Sequence, residues 1–522
     1  LKGGGRPLAA LVIWFGAGLP VLVHAGGVQT LEEVEVVDSA DLVGAANTAT
    51  EGTVSQRQIE SRPIQRAGDL LESVPGVVVT QHSGAGKANQ YFLRGFNLDH
   101  GTDIAVTVDG IPVNFPTHGH GQGWIEVNFV IPELVRGIQY KKGPYYADEG
   151  DFSAAGAINM SYATTLEKGI AEVGYGSFGY RRTMLADSPK LGSGNLLYAL
   201  EYYHSDGPWV MPDDYKKYNG VLRYALRTGR NEWNLTAMGY TGQWDSTDQI
   251  PQRAIGTGPG QISRFGNLDP TDGGESRRYS LSTEFQRKTG STVTKANAYA
   301  LQYRLDLFSN FTYFLDDPVN GDQFEQLDDR ITAGVRASHL WFGKLLGRDM
   351  DNTIGLQVRH DNIDTIGLYK TAARQRLSTT REDSVKQTSV AVYAQNGTRW
   401  TEKFRTVAGL RGDLYLFNVD NQAPVGIEQF NEGSASDSIV SPKLAMIFGP
   451  WAKTEYYLNG GFGFHSNDGR GSTISVDPSA FETNPVACQA VTAPTDPACR
   501  LQKVDALVKA KGAEVGVRTA IV

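Results

Sequence analysis

Cysteine is rare in this sequence of 522 residues, which contains only Cys488 and Cys499. Two cysteines exclude a disulfide-rich scaffold and fit an oxidising compartment in which few disulfides are used. The polar segment between them contains no histidine and no further cysteine. Because a metal site needs more ligands than this pair supplies, we expect a disulfide that closes a loop.

Strong charge and long apolar runs are also missing. Charged residues make up 20% of the chain, and the net charge of −8 gives no support for nucleic-acid binding. After Ala25 no run reaches the roughly eighteen apolar residues of a membrane-spanning helix, which excludes a helical membrane protein. No nucleophile, base and orienting group cluster along the chain, so we expect neither an enzyme nor a bound cofactor.

The first 25 residues have the pattern of an export signal. Lys2 and Arg6 precede the apolar run LAALVIWFGAGLPVLV, which is followed by a small-residue exit at Ala25. A basic start, a short apolar core and a small-residue exit are typical of a secretory signal peptide. The alternative is a membrane-anchoring helix, but glycine and proline interrupt the run and its length is marginal.

Glycine and aromatic residues are abundant, with 60 glycines, 23 tyrosines and 21 phenylalanines. From about residue 156 the chain alternates with period two. In RRYSLSTEFQR, for example, Tyr279, Leu281 and Phe285 share one face. About fourteen such strands, most near ten residues long, predict a mainly β fold with a transmembrane antiparallel β-barrel. One face meets outer-membrane lipid and the polar face lines a wet lumen.

Soluble β-propellers and sandwiches also contain alternating strands. Their strands are usually shorter and lack polar loops as long as 245–276 and 465–510, so we favour the barrel. The sequence GYGSFG matches the dinucleotide-binding pattern GxGxxG, but a strand-turn-strand pattern surrounds it and no helix follows. We therefore expect a hairpin there.

Residues 31 to about 155 mix helix and strand patterns. AGDLLESV predicts a short helix stopped at Pro75-Gly76, and the following VVVT predicts a strand. DIAVTVDGIPV predicts two strands joined at Asp109-Gly110, a strong turn dipeptide. IPELVRGIQYKKGP predicts a helical turn followed by a strand. We expect this part to form a compact α+β unit.

Four segments of that unit occur in a recognisable order: GDLLESVPGVVV, YFLRGFN, VTVDGIPV, and IPELVRGIQYKKGP followed by GAINM. They resemble the plug domain of the TonB-dependent outer-membrane receptors, and SPKLAMIFGP, GGFGFHSND and LVKAKGAEVGVR resemble the family's barrel strands. The resemblance covers about residues 31–522 and implies a plug in the lumen of a barrel of about 22 strands. After the predicted signal peptide at 1–25, it implies an N-terminal segment with the TonB box at 26–45, a plug at 46–160 and a barrel at 161–522.

The chain departs from the family in two respects. Only about fourteen strands are visible, and the sequence stops just after KGAEVGVR, where family members continue. Because a barrel cannot leave open edges in lipid, we expect a C-terminally truncated product with an incomplete barrel. The stretch GPYYADEGDFSAAGAIN is longer than the family's usual passage from plug to first strand, so the plug–wall contact is expected to differ there.

The segment LEEVEVVDSA resembles the TonB box, which the resemblance places at Glu33, Val34, Glu35, Val36 and Val37. In the family this stretch adds a strand to the periplasmic protein TonB, where backbone hydrogen bonds give affinity. TonB in turn is driven by the ExbB–ExbD complex. The alternative is an ordinary edge strand. Too few residues precede the segment for an extra signalling domain, so transcriptional signalling is not expected.

The resemblance also implies a plug scaffold at Arg94, Gly95, Asp109, Gly110 and Gly143. Glycine permits the positive φ of tight turns, and Arg94 is suited to hold carboxylates of the plug or barrel wall. We expect structural roles for these residues.

Four of the nine histidines, His82, His100, His118 and His120, lie close together in the plug region. The last two stand in NFPTHGHGQGW, which the resemblance places near the outward apex. Neutral imidazole suits zinc, copper or nickel, and Asp103 is a further candidate ligand. The predicted metal ligands are His118, His120, Asp99 and His100. The predicted cargo contacts are His100, His118, His120 and Trp124. The alternative is that the rings only hydrogen-bond plug loops to one another or to the wall.

Together these features predict a TonB-dependent importer in the outer membrane of a Gram-negative bacterium. Its expected cargo is a scarce solute such as a ferric siderophore or another metal or metal chelate. One rival is a passive porin, which the plug-like region disfavours. The other is an exported β-propeller enzyme or lectin. Dependence of uptake on the proton-motive force separates the importer from the porin, and outer-membrane fractionation separates barrel from propeller.

Overall fold

The computed structural model describes residues 42–81, 84–246, 248–423, 430–480, 486, 488 and 496–520. The predicted signal peptide, the TonB-box residues Glu33–Val37 and His82 lie outside these residues.

The N-terminal unit contains two small sheets and a few short helical segments. Its strands are β1 (Gly52–Ser55), β2 (Val77–Thr80), β3 (Gln90–Leu93), β4 (Phe96–Asn97), β5 (Ile104–Val108), β6 (Ile111–Pro112), β7 (Val135–Lys142) and β8 (Gly156–Tyr162). Helix α1 (Gln56–Glu60) and 3₁₀ turns at Ala67–Ser73 and Pro132–Leu134 complete the unit. One sheet has the order β1-β7-β8-β5-β6 and the other β2-β3-β4. The predicted α+β unit is confirmed, with AGDLLES as a 3₁₀ rather than an α-helix.

Local sequence explains the ends of these elements. Ser55 caps α1 in a capping box, since its side chain accepts from the Gln58 amide while the Gln58 side chain accepts from the Ser55 amide. Asp109 and Gly110 both have positive φ, 48° and 74°, and join β5 to β6. Consecutive left-handed residues match the twist of a two-residue hairpin, which is why DG stands there.

The larger sheet is built from the rest of the chain. Its strands are β9 (Ile170–Tyr175), β10 (Arg181–Asp187), β11 (Lys190–Leu191), β12 (Gly194–Ser205), β13 (Tyr215–Thr228), β14 (Asn231–Asp245), β15 (Gly273–Lys288), β16 (Thr292–Ser309), β17 (Phe324–Leu345), β18 (Arg348–Ala372), β19 (Gln375–Thr401), β20 (Phe404–Asn421), β21 (Gly433–Trp451), β22 (Thr454–Ser466) and β23 (Leu507–Thr519). They form a 15-stranded antiparallel sheet that runs in chain order from β9 to β23, with β11 paired only to β12.

The two faces of this sheet differ in the way a membrane barrel requires. On β15, Tyr279 and Leu281 are about half exposed, while Arg278, Ser280 and Ser282 between them are buried. Apolar side chains therefore point outward, where lipid replaces water, and polar side chains point to the inner face. Among the described residues, no helix combines the length and the apolar character required to cross a membrane.

The predicted strand length was wrong for most of the sheet. From β12 to β22 the strands have 12 to 27 residues, and β19 is the longest. A membrane crossing needs only about 9–11 residues. The hairpins therefore continue beyond the lipid, and the polar ends that resembled loops in the sequence are paired strand.

The connections divide the sheet into two ends. Short turns lie at 229–230, 289–291, 346–347, 402–403 and 452–453. At the other end the connections are long, at 206–214, 246–272, 310–323, 422–432 and 467–506, with one exception, the two-residue turn at 373–374 between β18 and β19. In outer-membrane barrels the short turns face the periplasm and the long loops face outward. The last long loop carries helix α2 (Gly469–Thr473) and a disulfide between Cys488 and Cys499.

The N-terminal unit lies against the concave inner face of the sheet. Barrel arginines donate to its backbone carbonyls, Arg336 to Gly110 at 3.2 Å and Arg518 to Ala49 at 3.2 Å. These two arginines stand on β17 and β23, far apart in the sheet. The unit thus contacts the sheet both at its middle and at its C-terminal edge, as expected for a plug.

Candidate functional site

The segment Phe115–Trp124 forms a tight loop at the long-loop end of the plug. The Phe115 amide donates to the Trp124 carbonyl at 3.0 Å, and the Gly123 amide donates back to the Phe115 carbonyl at 2.8 Å. Trp124 is fully buried, and its indole Nε1 donates to the Tyr303 hydroxyl on β16 at 2.9 Å. The loop is therefore closed by hydrogen bonds within its own backbone and is attached to the barrel wall through Trp124.

Three predicted histidines gather around the Trp124 ring. The ring centroids of His118, His120 and His100 lie 4.7, 4.9 and 5.1 Å from that of Trp124. His118 stacks at 11° to the indole plane, whereas His120 meets it edge-on. The structure thus brings together His100, His118, His120 and Trp124, which we call the histidine cluster.

His118 is positioned as a packing residue. It is fully buried between Phe115 and Trp124, and its Nδ1 accepts the His120 amide at 3.1 Å. A neutral ring that accepts at Nδ1 carries its proton on Nε2, which faces Asp328 Oδ2 at 3.8 Å. Burial, followed by the nearby Arg330 charge, lowers the pKa of His118 well below its usual value. Both ring nitrogens are therefore turned to the protein.

His120 and His100 have the opposite tautomer. Nδ1 of His120 lies 2.7 Å from Gln326 Oε1, whose amide orientation is fixed because its Nε2 donates to the Gly119 carbonyl. Nδ1 of His100 lies 2.9 Å from the Asn89 carbonyl. Both rings donate at Nδ1, which leaves a lone pair on Nε2 in the neutral form. Burial, and then the Lys87 charge, lowers the pKa of His120 well below its usual value, so this ring is neutral.

The predicted carboxylate ligands do not complete a metal site with these rings. Asp103 accepts from Nδ1 of His465 on β22 at 2.8 Å, and the Asp99 side chain is mostly exposed, 3.8 Å from His100 Nε2. Within the described residues, the plug histidines and these aspartates form no group of three whose ligand atoms lie within 4.8 Å. Metal binding at the plug therefore stays a prediction, with His100 and His120 as its best-oriented imidazoles.

Two side chains of the barrel wall form hydrogen bonds with the plug backbone beside the histidine cluster. Asp328 Oδ2 on β17 accepts the Gly119 amide at 3.0 Å, and Arg330 donates to the Thr117 carbonyl at 2.5 Å. The two side chains also pair with each other through Arg330 Nε and Asp328 Oδ1 at 2.7 Å, and both are fully buried. The guanidinium lies 4.4 Å from the Phe115 ring centroid. The opposite charges of Arg330 and Asp328 neutralise each other, and their bonds to the loop backbone fix the loop.

Helix α2 covers the same loop from outside. The Gly469 amide donates to Thr117 Oγ1 at 2.8 Å, and Arg470 donates to the His118 carbonyl at 3.1 Å. Arg470 is itself paired with Asp468 at 2.8 Å. The histidine cluster is thus enclosed by the plug, β17 and the last long loop.

Sequence reasoning missed these wall residues, although a pattern exists. Arginine and aspartate two residues apart recur at 328–330, 359–361, 381–383, 411–413 and 468–470, and each pair is ion-paired. Residues i and i+2 share one face of a strand. An arginine–aspartate alternation on consecutive predicted strands would therefore have identified the inner-face contacts.

The predicted scaffold residues lie at the plug–wall contact. Asp109 accepts from Arg223 on β13 at 2.5 Å, and Arg94 lies 3.5 Å from Glu514 on β23. Gly95, Gly110 and Gly143 all have positive φ.

Two polar cavities lie between plug and wall below the cluster. The upper one has a volume of about 90 Å³ and includes Tyr299, Arg359 and Arg411 in its lining. The lower one, of about 380 Å³, is lined by Lys141, Asp148 and other polar residues. Four residues line both cavities: Thr107, Glu149, Arg336 and Gln357. The cavities are therefore neighbours along the wall between the cluster and the short-turn end.

The chain matches two family models. Residues 43–157 match the TonB-dependent receptor plug domain, and residues 210–485 match the TonB-dependent receptor-like β-barrel. A curated relative, the vitamin B12 transporter BtuB of Vibrio vulnificus, is 28% identical over 178 residues, which are 34% of this chain and 28% of that protein.

Solved structures share the fold at low identity. The match to the unliganded ferric citrate transporter FecA has a TM-score of 0.66 at 14% identity. It covers 80% of this chain and 63% of the FecA chain. The copper transporter OprC has a TM-score of 0.61 at 16% identity, with coverages of 82% and 65%. The ferric yersiniabactin uptake receptor FyuA from Yersinia pestis has a TM-score of 0.65 at 14% identity, with coverages of 92% and 71%. This chain spans under two thirds of the length of the first two. The plug, the sheet around it and both family models show that the chain belongs to the TonB-dependent receptors of the outer membrane.

Proposed function

We propose that this protein carries out energy-coupled uptake of a metal ion or metal chelate across the outer membrane. Relatives of this fold include transporters named for ferric citrate and copper. The observation that carries the proposal is the pair of imidazoles at the long-loop end of the plug, His100 and His120, whose Nδ1 atoms are both bonded to protein oxygens so that Nε2 is the ring atom available to a cargo at His120. No bond of the cargo needs to change, so the protein is not an enzyme.

His100 and His120 supply the first contact in this account. Their ring centroids lie 4.7 Å apart, close enough for both to approach one ion or one chelate. The remaining ligands come from water or from the chelate itself, as expected for a site that must release its cargo. His118 holds the loop through packing. Binding requires the outer loop with α2 to move, because Arg470 lies over the same backbone.

Strand β17 marks the proposed route inward. Gln326 and Asp328 near one end of the strand contact the cluster loop, and Arg336 farther along lines both cavities. A cavity of about 380 Å³ lies in the size range of small-ligand sites. Cargo would pass between plug and wall beside β17 when the plug is pulled.

The pulling force would come from TonB, powered by ExbB–ExbD, at Glu33–Val37. Strand addition to an extended segment gives a mechanical grip through backbone hydrogen bonds. The plug is held in the wall by arginine–carbonyl bonds and by ion pairs such as Asp109–Arg223, so the pull must break both kinds of contact.

Uptake with a labelled panel tests the proposal and identifies the cargo class. Cells that express the full-length receptor are given zinc, copper, nickel, ferric siderophores, vitamin B12 and glycans. We expect accumulation of one metal-containing member. The Ser338→Trp variant, which narrows the lower cavity, should bind that cargo normally and import it at least tenfold more slowly. An exposed control, Leu346→Trp in the turn after β17, should import normally. Accumulation only of a metal-free member would contradict the proposal.

A further inference from the structure

We infer a divalent-metal site on the outer wall of the sheet, separate from the plug and its cargo. It consists of His204 at the end of β12, Asp206 after it and Asp214 before β13. Nε2 of His204 lies 3.1 Å from Asp214 Oδ1 and 3.5 Å from Asp206 Oδ1. The ligand atoms of all three residues lie within 4.8 Å of one another.

These separations fit one tetrahedral ion. Zinc bonds to nitrogen and oxygen ligands are about 2.0–2.1 Å long, which places tetrahedral ligand atoms about 3.3 Å apart. The two distances from His204 Nε2 lie on either side of that value. One imidazole and two carboxylates leave a fourth position for water. One imidazole with two carboxylates suits a transition-metal dication, and zinc, which does not change oxidation state, serves as the probe.

The histidine has the orientation of a metal ligand. Its Nδ1 lies 2.8 Å from the Gly179 carbonyl, which fixes Nδ1 as the donor. Nε2 is then the ring atom directed at two carboxylate oxygens, and a cation between them would contact all three atoms. A backbone carbonyl on the far nitrogen is a common outer-shell partner of ligating histidines.

The backbone around the three residues is held in uncommon conformations. Asp214 has φ of 41° and Phe178, in the β9–β10 turn, has φ of 56°. Left-handed non-glycine residues are costly and persist where surrounding contacts fix them. The Phe178 carbonyl accepts the Asp206 amide at 2.7 Å. At Gly179 a Cβ atom would lie 2.0 Å from Asp206 Oδ2, so a larger residue there would push this carboxylate from its present position.

The alternation of β12 places the site on the outer face. Glu201 and Tyr203 point inward, since Glu201 pairs with Arg182 and Lys217 and Tyr203 packs against the buried core. His204 is therefore on the opposite face. It lies just beyond the Tyr202–Tyr218 ring pair, whose centroids are 5.1 Å apart. Tyrosines on the outer face are typical of the lipid interface, so the ion would sit at its outward edge.

The competing arrangement is an ion pair without metal. A protonated His204 would satisfy both carboxylates, and Lys216 Nζ already lies 2.5 Å from Asp214 Oδ2. Lys216 occupies the other oxygen of Asp214 and leaves Oδ1 directed at His204. Metal and proton therefore compete for one position, and direct measurement of zinc separates them.

Zinc binding to the purified full chain in detergent is measured by calorimetry and by metal analysis after desalting, near pH 7.5. The variants are His204→Ala, Asp206→Asn and His360→Ala. The last removes an exposed histidine whose Nδ1 is bonded to Thr388 Oγ1, and serves as the matched control. Any zinc held by the plug histidines contributes equally to all of these proteins.

We expect His204→Ala to lose one equivalent of zinc that wild type and His360→Ala retain. Asp206→Asn, a partly exposed and nearly isosteric change, should keep the fold and weaken the same site about tenfold or more. The inference is overturned if His204→Ala and Asp206→Asn take up as much zinc as His360→Ala with equal affinity, because the three side chains then form only an ion pair.

Discussion

The Nε2 atom of His118 on the plug lies 3.8 Å from Oδ2 of Asp328 on the barrel wall, and both side chains are fully buried. Asp328 also binds Arg330 and the Gly119 amide. This single carboxylate thus joins the plug loop, the wall and the histidine cluster. The first prediction follows from the contacts of Asp328.

Replacing Asp328 by asparagine should strongly destabilise the protein. Arg330 is fully buried and would lose its principal partner, keeping only Asp361 at 3.7 Å, and breaking a buried ion pair costs about 3–5 kcal/mol. Asp349→Asn is the control, because its pair with Lys344 is mostly exposed and worth at most about 1 kcal/mol. Unfolding in urea, followed by circular dichroism in detergent, measures both. Equal effects of the two substitutions would contradict the assigned role of Asp328.

Metal binding at the plug should depend on His100 and His120 more than on His118. Substitution of His120 by alanine should weaken binding of the preferred ion about tenfold or more, because one lost ligand costs at least about 1.4 kcal/mol. His118→Phe should retain binding, since the ring mainly stacks on Trp124. Calorimetry with zinc, copper and nickel in the His204→Ala background isolates the plug site. If the His204→Ala protein with an unchanged plug binds none of the three ions, direct ion contact is excluded and a ferric chelate is left as the cargo.

The architecture was predictable because alternation in sequence is a local property. Tyr279 and Leu281 could be assigned to one face from their spacing alone, and the DG turn after Val108 needed no tertiary knowledge. The disulfide partners followed from there being only two cysteines. Strand lengths were not predictable in this way, since the pairing of polar ends such as those of β19 depends on neighbouring strands.

The chemistry of the histidine cluster was only partly predictable. Spacing placed His118 and His120 together, but their tautomers are set by Gln326 and by the backbone of the loop itself. The enclosure of His118 depends on Asp328 and on Arg470, which are hundreds of residues away in the chain. No local pattern distinguishes a packed ring from a ligand.

The outer loops should lose stability as pH rises. Asp272, in the loop before β15, is buried, and burial followed by the charges of Asp248 and Asp269 raises its pKa to about 9. A raised pKa of an acid means that the folded state holds the proton more tightly than the unfolded state. The stabilisation is thus fully present below about pH 4 and falls progressively as pH rises toward 9.

Asp272→Asn should therefore be more stable than wild type at pH 8, by roughly 2 °C or more in unfolding temperature, with a smaller difference at pH 5. Asp316→Asn, an exposed change in the neighbouring loop, should leave the pH profile unaltered. Thermal unfolding at the two pH values checks this. A difference between Asp272→Asn and wild type that stays constant from pH 5 to pH 8 would show that Asp272 does not titrate as described.

Deleting Glu33–Val37 from a full-length receptor should separate binding from transport. Cargo binding should be unchanged, because the segment precedes the plug and the cluster lies at the outward end. Uptake should stop, since TonB would have no strand to grip. Binding and uptake of the labelled cargo in the same cells give both values. Unchanged uptake by the deletion would rule out this segment as the TonB box.

The central claim is energy-coupled import, and the dependence of uptake on the proton-motive force tests it most directly. Cells expressing the full-length receptor are given the labelled metal or metal chelate with and without a protonophore, and the initial rate of accumulation is measured. We predict that binding at the cell surface persists while accumulation falls to the level of cells without the receptor. Accumulation that continues at the same rate after the proton gradient is lost would identify a passive pore and contradict the account.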